Sequence, residues 1–246
     1  LRLARVRDAD AYALRGGMLV RHWLPEAGRV VRDLDLVCAL PYRPRDVRQR
    51  VAEILRVALG DGVDFEADRF RIDPVACGDH AMAVLFAAGR VDGELAEITV
   101  DVTFGLDVWP AAMRDVVTAE RGVAPVWTCG HEMVVATKLA VIAELGAREW
   151  RAKDLADIWC ALRRFSPARS LPAIGEAIER RSGDAAAGVA VLAAPWWRAP
   201  HAAMRWGRQV ARQPYVPGEL DAVLAEVRDA LAPLAPKPPR SRSRAA

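Results

Sequence analysis

Arg29-Val30-Val31-Arg32-Asp33-Leu34-Asp35-Leu36-Val37 is the stretch on which the reading of the chain turns. Val30, Leu34, Leu36 and Val37 bring the apolar, β-favouring bulk of a strand. Side chains two apart on a strand share a face, with their α-carbons roughly 6.6 Å apart. Asp33 and Asp35 are therefore expected to point the same way, with Leu34 and Leu36 turned into a core. Two like charges at that spacing repel and call for a cation. Mg2+ suits them, being a hard ion that takes one or two carboxylates alongside substrate phosphates. An ordinary Asp-rich strand end would carry the same two acids, so the surroundings must decide.

Upstream, Tyr12-Ala13-Leu14-Arg15 reads as a short strand running into Gly16-Gly17, with a helix over Met18–Leu24 stopped by Pro25. Two glycines free the backbone to approach a ligand, and a strand, glycine pair and helix start together can cradle a phosphate. A Gly-Gly alone is more often a simple turn. Downstream, the spacing of Val47, Val51, Ile54, Leu55 and Ala58 predicts an Arg-rich helix over Pro44–Leu59, and Phe65–Ile72 reads as a strand. Two strands, Ala81–Val91 and Glu94–Phe104, flank Asp92-Gly93, a strong hairpin signal. Asp101 interrupts the second of them among Ile98, Val100, Val102 and Phe104. Strand interiors disfavour Asp by a few tenths to about 1 kcal/mol, which suggests a task for it, although a water-facing Asp would look the same. Asp33, Asp35 and Asp101 on adjacent strands would be enough to hold two Mg2+ ions.

From Pro110 the alternation gives way to helical periodicity. One helix is predicted over His131–Leu145 with Gly146 as its stop, and another over Lys153–Phe165. Lys138 lies beside the buried stripe of the first, placed to snorkel to solvent or to reach a polyanion in a cleft. Asp154 and Asp157 share one edge of the second, for which the ordinary account is a solvated acidic face with Asp154 near the helix N-terminus. Further on, Pro195-Trp196-Trp197-Arg198 and Met204-Arg205-Trp206 fit base stacking or, more commonly, helix packing. Glu219–Leu231 is amphipathic, and residues 235–246 are Pro-, Arg- and Ser-rich, the composition of a disordered basic tail.

The bulk composition sets limits. Of 246 residues 52% are hydrophobic and 27% charged, which suits a globular chain with a proper core. No apolar run approaches the roughly 18 residues of a membrane span, and without a charged-then-apolar leader the chain reads as cytoplasmic with no membrane partner. Cys38, Cys77, Cys129 and Cys160 have no metal-binding spacing and read as free, buried thiols. From Pro195 onward nine basic residues face four acids, inside a net charge of +3 for the whole chain. Such a basic C-terminal region fits a polyanionic partner.

Taken in order, L-R-G-G-M, R-x-x-R-D-L-D-L, I-T-V-D-V-T-F-G, E-M-V-V-A-T-K-L and R-A-K-D-L-A-D-I-W resemble the motifs of the AbiEii/AbiGii toxin family, a branch of the DNA polymerase β-like nucleotidyltransferases. The resemblance runs from about Leu14 to Trp159. It implies an α+β fold: a nucleotidyltransferase-fold mixed sheet flanked by helices in a core over 1–109, then a mostly helical region over 110–234 that completes the site, then the tail at 235–246. By resemblance Asp33, Asp35 and Asp101 are the metal-binding carboxylates, and Gly16, Gly17 and Met18 belong to the nucleotide grip. Lys138 matches a helix lysine near the triphosphate. Asp154 and Asp157 match the carboxylates that complete the site, accompanied by Arg151 and Lys153. The chain departs from the family pattern at Met18, Val31 and Thr137, each of which lacks an expected polar group.

The resemblance implies a Mg2+-dependent transfer of a nucleotide from a nucleoside triphosphate to RNA, with a tRNA 3′ end as acceptor, and an antitoxin protein as partner. Two other readings stand beside it. One is a nucleotide-binding module without transfer activity, suggested by the three departures. The other is a nucleotidyltransferase acting on a small molecule, for which the basic C-terminal region would be irrelevant.

Overall fold

The computed structural model describes residues 1–77, 80–106, 108, 113–119 and 122–235. The chain divides into two compact units, Leu1–Val134 and Val135–Ala246. Among the described residues no helix is long and apolar enough to cross a membrane.

In the first unit, β1 (Tyr12–Arg15) leads directly into α1 (Gly16–Trp23), followed by β2 (Asp33–Cys38), α2 (Pro44–Arg56), β3 (Val63–Cys77), β4 (His80–Val91) and β5 (Glu94–Phe104). Then come β6 (Met113–Ala119) and β7 (Gly122–Thr128). The described strands form one mixed sheet in the order β3-β4-β5-β2-β1-β7-β6. Parallel pairing occurs between β2 and β5 and between β1 and β7, and the other neighbours are antiparallel. The β4–β5 hairpin turns at Asp92-Gly93, both with positive φ, as a two-residue turn of this kind requires.

The leucine face of the sheet is the core face. Leu34, Leu36, Val100, Val102 and Phe104 meet Val47, Val51 and Leu55 of α2 around a common apolar hollow. Val47, Val51, Ile54 and Leu55 share that face as their spacing predicts, but α2 ends at Arg56 rather than Leu59, and Ala58 lies beyond it.

Three strand boundaries correct the sequence reading. β2 begins at Asp33 rather than Arg29, and Val30 is 56% exposed. The ladder explains this: β1 ends at Arg15, opposite Asp35, and pairing to β5 starts at Asp33 opposite Thr99. Residues before Asp33 are paired to neither neighbour, although β5 itself begins earlier, at Glu94. β3 continues past Ile72 through Pro74 to Cys77, which an edge strand tolerates because one side of it needs no N–H donors.

The third correction is larger: residues 113–128 hold two strands where helical periodicity was expected. Val123 and Val126 bring β-branched bulk to β7. Pro125, which argues against a strand, lies outside the part of β7 paired to β1 (Ala13 with Trp127, Leu14 with Thr128).

In the second unit helices predominate: α4 (Ala152–Arg164), α5 (Pro167–Ser182), α6 (Ala185–Ala190), α7 (Pro200–Arg212) and α8 (Leu220–Leu231), preceded by α3 (His131–Glu149), which spans the division between the units. α3 breaks at Gly146, whose φ of 58° is one an L side chain resists. Every residue of α4 from Asp154 to Leu162 is buried, so this helix is enclosed on all sides. The predicted tail at 236–246 lies outside the described residues.

Candidate active site

The centre of the sheet carries the acids. Arg15, Asp35 and Asp101 occupy one cross-strand row on β1, β2 and β5 (Arg15 opposite Asp35, Asp35 opposite Asp101). Residues directly opposite each other in a ladder project from the same face. Asp33, two residues before Asp35, is on that face as well, opposite Thr99. The three acids thus share the side of the sheet opposite Leu34 and Leu36. Asp101, some 66 residues away in sequence, is next to Asp35 because β5 runs parallel to β2 in this register.

The glycine pair closes against the same row. Gly16 has φ of 72°, and a Cβ built on it would stand 2.0 Å from Oδ2 of Asp35. No side chain larger than hydrogen fits between the start of α1 and the Asp35 carboxylate. A Cβ on Gly17 would lie 3.0 Å from Nη2 of Arg29. The first turn of α1 carries no acid and receives no side-chain cap from Arg15. Its leading N–H groups are of the kind that accept an anion. Arg15 instead donates from Nη2 to Oγ1 of Thr103 at 2.9 Å, which holds its guanidinium on the acid face. Met18 turns away: its side chain lines an apolar hollow with Leu14, Leu34, Leu36 and Trp127. Its part in any nucleotide grip is confined to backbone.

Arg15 and Arg29 are the site residues that the sequence reading passed over. Each sits beside a motif, Arg15 directly before Gly16 and Arg29 four residues before Asp33. With 35 basic residues of which only three are lysine, an arginine next to a motif gave no contrast.

Three carboxylates on neighbouring strands are a hard-oxygen donor set of the kind that suits a divalent cation such as Mg2+. Among the described residues no group of three or more His, Cys, Asp or Glu side chains is placed to hold a metal ion. The fit rests on the donor chemistry, the common face and the space that Gly16 leaves at Asp35.

Lys138, Asp154 and Asp157 form a second cluster, within the helical unit. Nζ of Lys138 lies 2.9 Å from Oδ1 of Asp154 and 2.8 Å from Oδ2 of Asp157. Nε of Arg151 donates to Oδ2 of Asp154 at 2.8 Å. The Asp154 and Asp157 side chains are 1% and 0% exposed and that of Lys138 is 12% exposed. The ordinary account of a solvated acidic face therefore does not hold, and Lys138 reaches these two acids rather than solvent. Because α4 is enclosed all round, the edge bearing the two acids meets no solvent, and Lys138 supplies the cation. Burial alone would lower the Lys138 pKa, but the charges of Asp157 and Asp154 outweigh it and hold the pKa above the ordinary lysine value. Burial likewise works to raise the Asp154 carboxyl, yet Lys138 and Arg151 bring it below its usual range.

The aromatic–arginine segments of the C-terminal half are packing elements. Trp197 and Trp206 are buried, Trp150 and Trp197 meet edge to face at 4.7 Å, and Arg205 donates to the carbonyls of Trp150 and Arg148. Cys38, Cys129 and Cys160 are buried thiols outside any disulfide, and burial pushes the Cys129 thiol up to about 12.

A mixed sheet with paired strand acids facing a glycine-opened helix start defines a nucleotidyltransferase. The chain belongs to the nucleotidyl transferase AbiEii toxin family of type IV toxin–antitoxin systems, whose family model matches residues 1–238. Among solved structures it is similar to JHP933 from Helicobacter pylori, at 12% identity and a TM-score of 0.52 over 95% of this chain and 85% of that one. A protein from H. pylori assigned as a nucleotidyltransferase matches at 13% identity and a TM-score of 0.50, over 95% and 88% of the two chains. At these identities the likeness is one of fold. No curated protein matches the chain significantly.

The Gly16 contact gives a direct test. Gly16→Ala is expected to destabilise the protein by about 1–3 kcal/mol through the left-handed backbone alone, and further by displacing Asp35. Gly28 has a comparable φ of 63° but nothing within 4 Å of a built Cβ. Gly28→Ala therefore isolates the backbone contribution. Urea unfolding midpoints should fall clearly further for Gly16→Ala than for Gly28→Ala, and equal shifts would contradict the placement of the Asp35 carboxylate.

Proposed function

We propose that this nucleotidyltransferase is the toxin of a toxin–antitoxin pair, transferring a nucleotide from a nucleoside triphosphate to the 3′ end of RNA, with tRNA as the acceptor, in a Mg2+-dependent reaction. The observation that carries the reading is the row Arg15–Asp35–Asp101 with Asp33 alongside and the Gly16-Gly17 helix start pressed against it.

Asp33, Asp35 and Asp101 would hold the divalent metal. When bound, the metal neutralises phosphate charge and lowers the pKa of a coordinated hydroxyl. The backbone N–H groups at the start of α1, opened by Gly16 and Gly17, hold phosphate oxygens, with Arg29 as a planar, fixed positive charge beside them. Arg15, steadied by Thr103, offsets part of the negative charge of the acid row. Lys138, with Asp154 and Asp157, contributes a buried positive group whose role toward the triphosphate is carried over from the family pattern. An antitoxin protein would restrain the activity in the cell.

The test is incubation of the full chain with each labelled nucleoside triphosphate, Mg2+ and total tRNA. Incorporation of label into tRNA that disappears on chelation of the metal is expected. Absence of incorporation with all four nucleotides, while nucleotide still binds, would replace this reading with that of a binding module. Incorporation only into a small-molecule acceptor would replace RNA.

A further inference from the structure

The acid face of the sheet continues beyond the acids onto β4 and β3. Asp33 lies opposite Thr99, Thr99 opposite Phe86, and Phe86 opposite Arg71, so these four residues make one row across four strands. The neighbouring row runs Arg15, Asp35, Asp101, Val84, Asp73. At the outer end of these rows the Arg71 guanidinium lies 4.2 Å from the centroid of the Phe86 ring. Its Nε is 2.9 Å from Oδ2 of Asp73. The Arg71 side chain is nonetheless 65% exposed.

A surface arginine is ordinarily mobile. Here the plane is fixed on one side by an aromatic ring and along its edge by a carboxylate, and its outer face is open to solvent. A site for a bare phosphate needs an uncompensated cation, whereas Asp73 offsets the charge of Arg71. What remains is a flat, polarisable, pre-oriented surface, and its natural ligand is another flat π system. Two interstrand spacings, about 10 Å, separate Phe86 from Asp33 along the row. Among the common polymers, single-stranded nucleic acid carries stackable bases at such intervals next to a reactive hydroxyl.

We infer that Arg71, backed by Phe86 and oriented by Asp73, is the stacking platform for an unpaired nucleobase at the 3′ end of the RNA acceptor, placing that end over the acid row. The inference rests on the proposed RNA acceptor, and it adds the residues that position it. Asp73 also offers a carboxylate oxygen to an exocyclic amino group of the stacked base. Neither Arg71 nor Phe86 belongs to the metal or triphosphate machinery.

The experiment measures binding of a short single-stranded oligoribonucleotide carrying 2-aminopurine at its 3′ end, without nucleotide, to the wild type and to Arg71→Ala, Arg71→Lys, Phe86→Leu and Arg69→Ala. Arg69 is also on β3 and paired to an acid, Glu66, but its side chain is 82% exposed. Arg69→Ala removes the same charge without a stack. Stacking quenches 2-aminopurine, so strong quenching is expected for the wild type and for Arg69→Ala. Arg71→Ala should bind about tenfold more weakly with the quenching lost, and Arg71→Lys should not rescue it, because an ammonium has no plane. In the transfer assay Arg71→Ala should raise KM for RNA about tenfold, with kcat and KM for the nucleotide within twofold. Equal binding by wild type and Arg71→Ala would overturn the platform, as would equal losses from Arg71→Ala and Arg69→Ala, which would show diffuse charge only. Arg71-dependent quenching without any nucleotide transfer would support the platform while removing the transferase reading. Transfer to RNA that is indifferent to Arg71 would do the reverse.

Discussion

Asp35→Asn should abolish nucleotide transfer, with a loss on the order of a thousandfold or more, while leaving the protein folded. The substitution keeps the shape of the side chain, so the close approach to Gly16 survives. It removes the charge from the middle of the row, next to Asp101 and two residues from Asp33. Like charges facing each other across a ladder destabilise by a few tenths to about 1 kcal/mol. With Arg15 also in the row, Asp35→Asn is expected to leave the metal-free melting temperature within a few degrees of the wild type. The informative comparison is with Mg2+. A cation held by the folded site stabilises the wild type by an amount that rises with the logarithm of its concentration once above the dissociation constant. The wild type should therefore melt higher as Mg2+ is added, and Asp35→Asn should not. An equal Mg2+ response in both would remove the acid row as the metal site, even if transfer were lost. Asp101→Asn should behave like Asp35→Asn, since the register makes the two carboxylates neighbours.

The parts of this site that the sequence reveals are those whose geometry is local. Asp33 and Asp35 share a face by strand period alone, and Gly16-Gly17 announces a backbone with freedom at the head of a helix. Asp101 could be suspected from its strand but not located, because its position beside Asp35 depends on a parallel pairing between strands far apart in the chain. β6 and β7 stand where helical periodicity was expected, and Pro125 within β7 is accommodated because β1 pairs with β7 only at Trp127 and Thr128. Val30 reads as strand and is exposed, because pairing ends before a strand-like sequence does. The same holds for the charges. Spacing places Asp154 and Asp157 on one helix edge, but only packing shows that the edge is sealed and that Lys138 is enclosed with it.

Lys138→Met carries the largest stability effect expected from a single substitution in the helical unit. Removing one member of a buried ion pair strands the other, at a cost of about 3–5 kcal/mol. For a unit of this size that lowers the melting temperature by on the order of 10 °C or more. Asp154 would keep Arg151, whereas Asp157, with a fully buried side chain, would lose the cation 2.8 Å away. Lys138→Met combined with Asp157→Leu should therefore recover much of the loss, since an apolar replacement of similar volume no longer has to be neutralised. The pH dependence follows from the two shifts. The Lys138 pKa is raised in the folded state, so its contribution is present below the unfolded lysine value and is lost as pH rises through the folded one. The Asp154 pKa is lowered, so its contribution is present above the unfolded carboxyl value and is lost as pH falls through the folded one. Wild-type stability from this cluster should stay level across neutral pH and fall at both extremes; the double variant should lose the alkaline limb and keep a reduced acid limb through Asp154 and Arg151. The double variant also separates architecture from chemistry. If it refolds to near wild-type stability but transfers no nucleotide, Lys138 serves the triphosphate as well as the fold. Restored transfer would make the cluster a structural element of the helical unit alone.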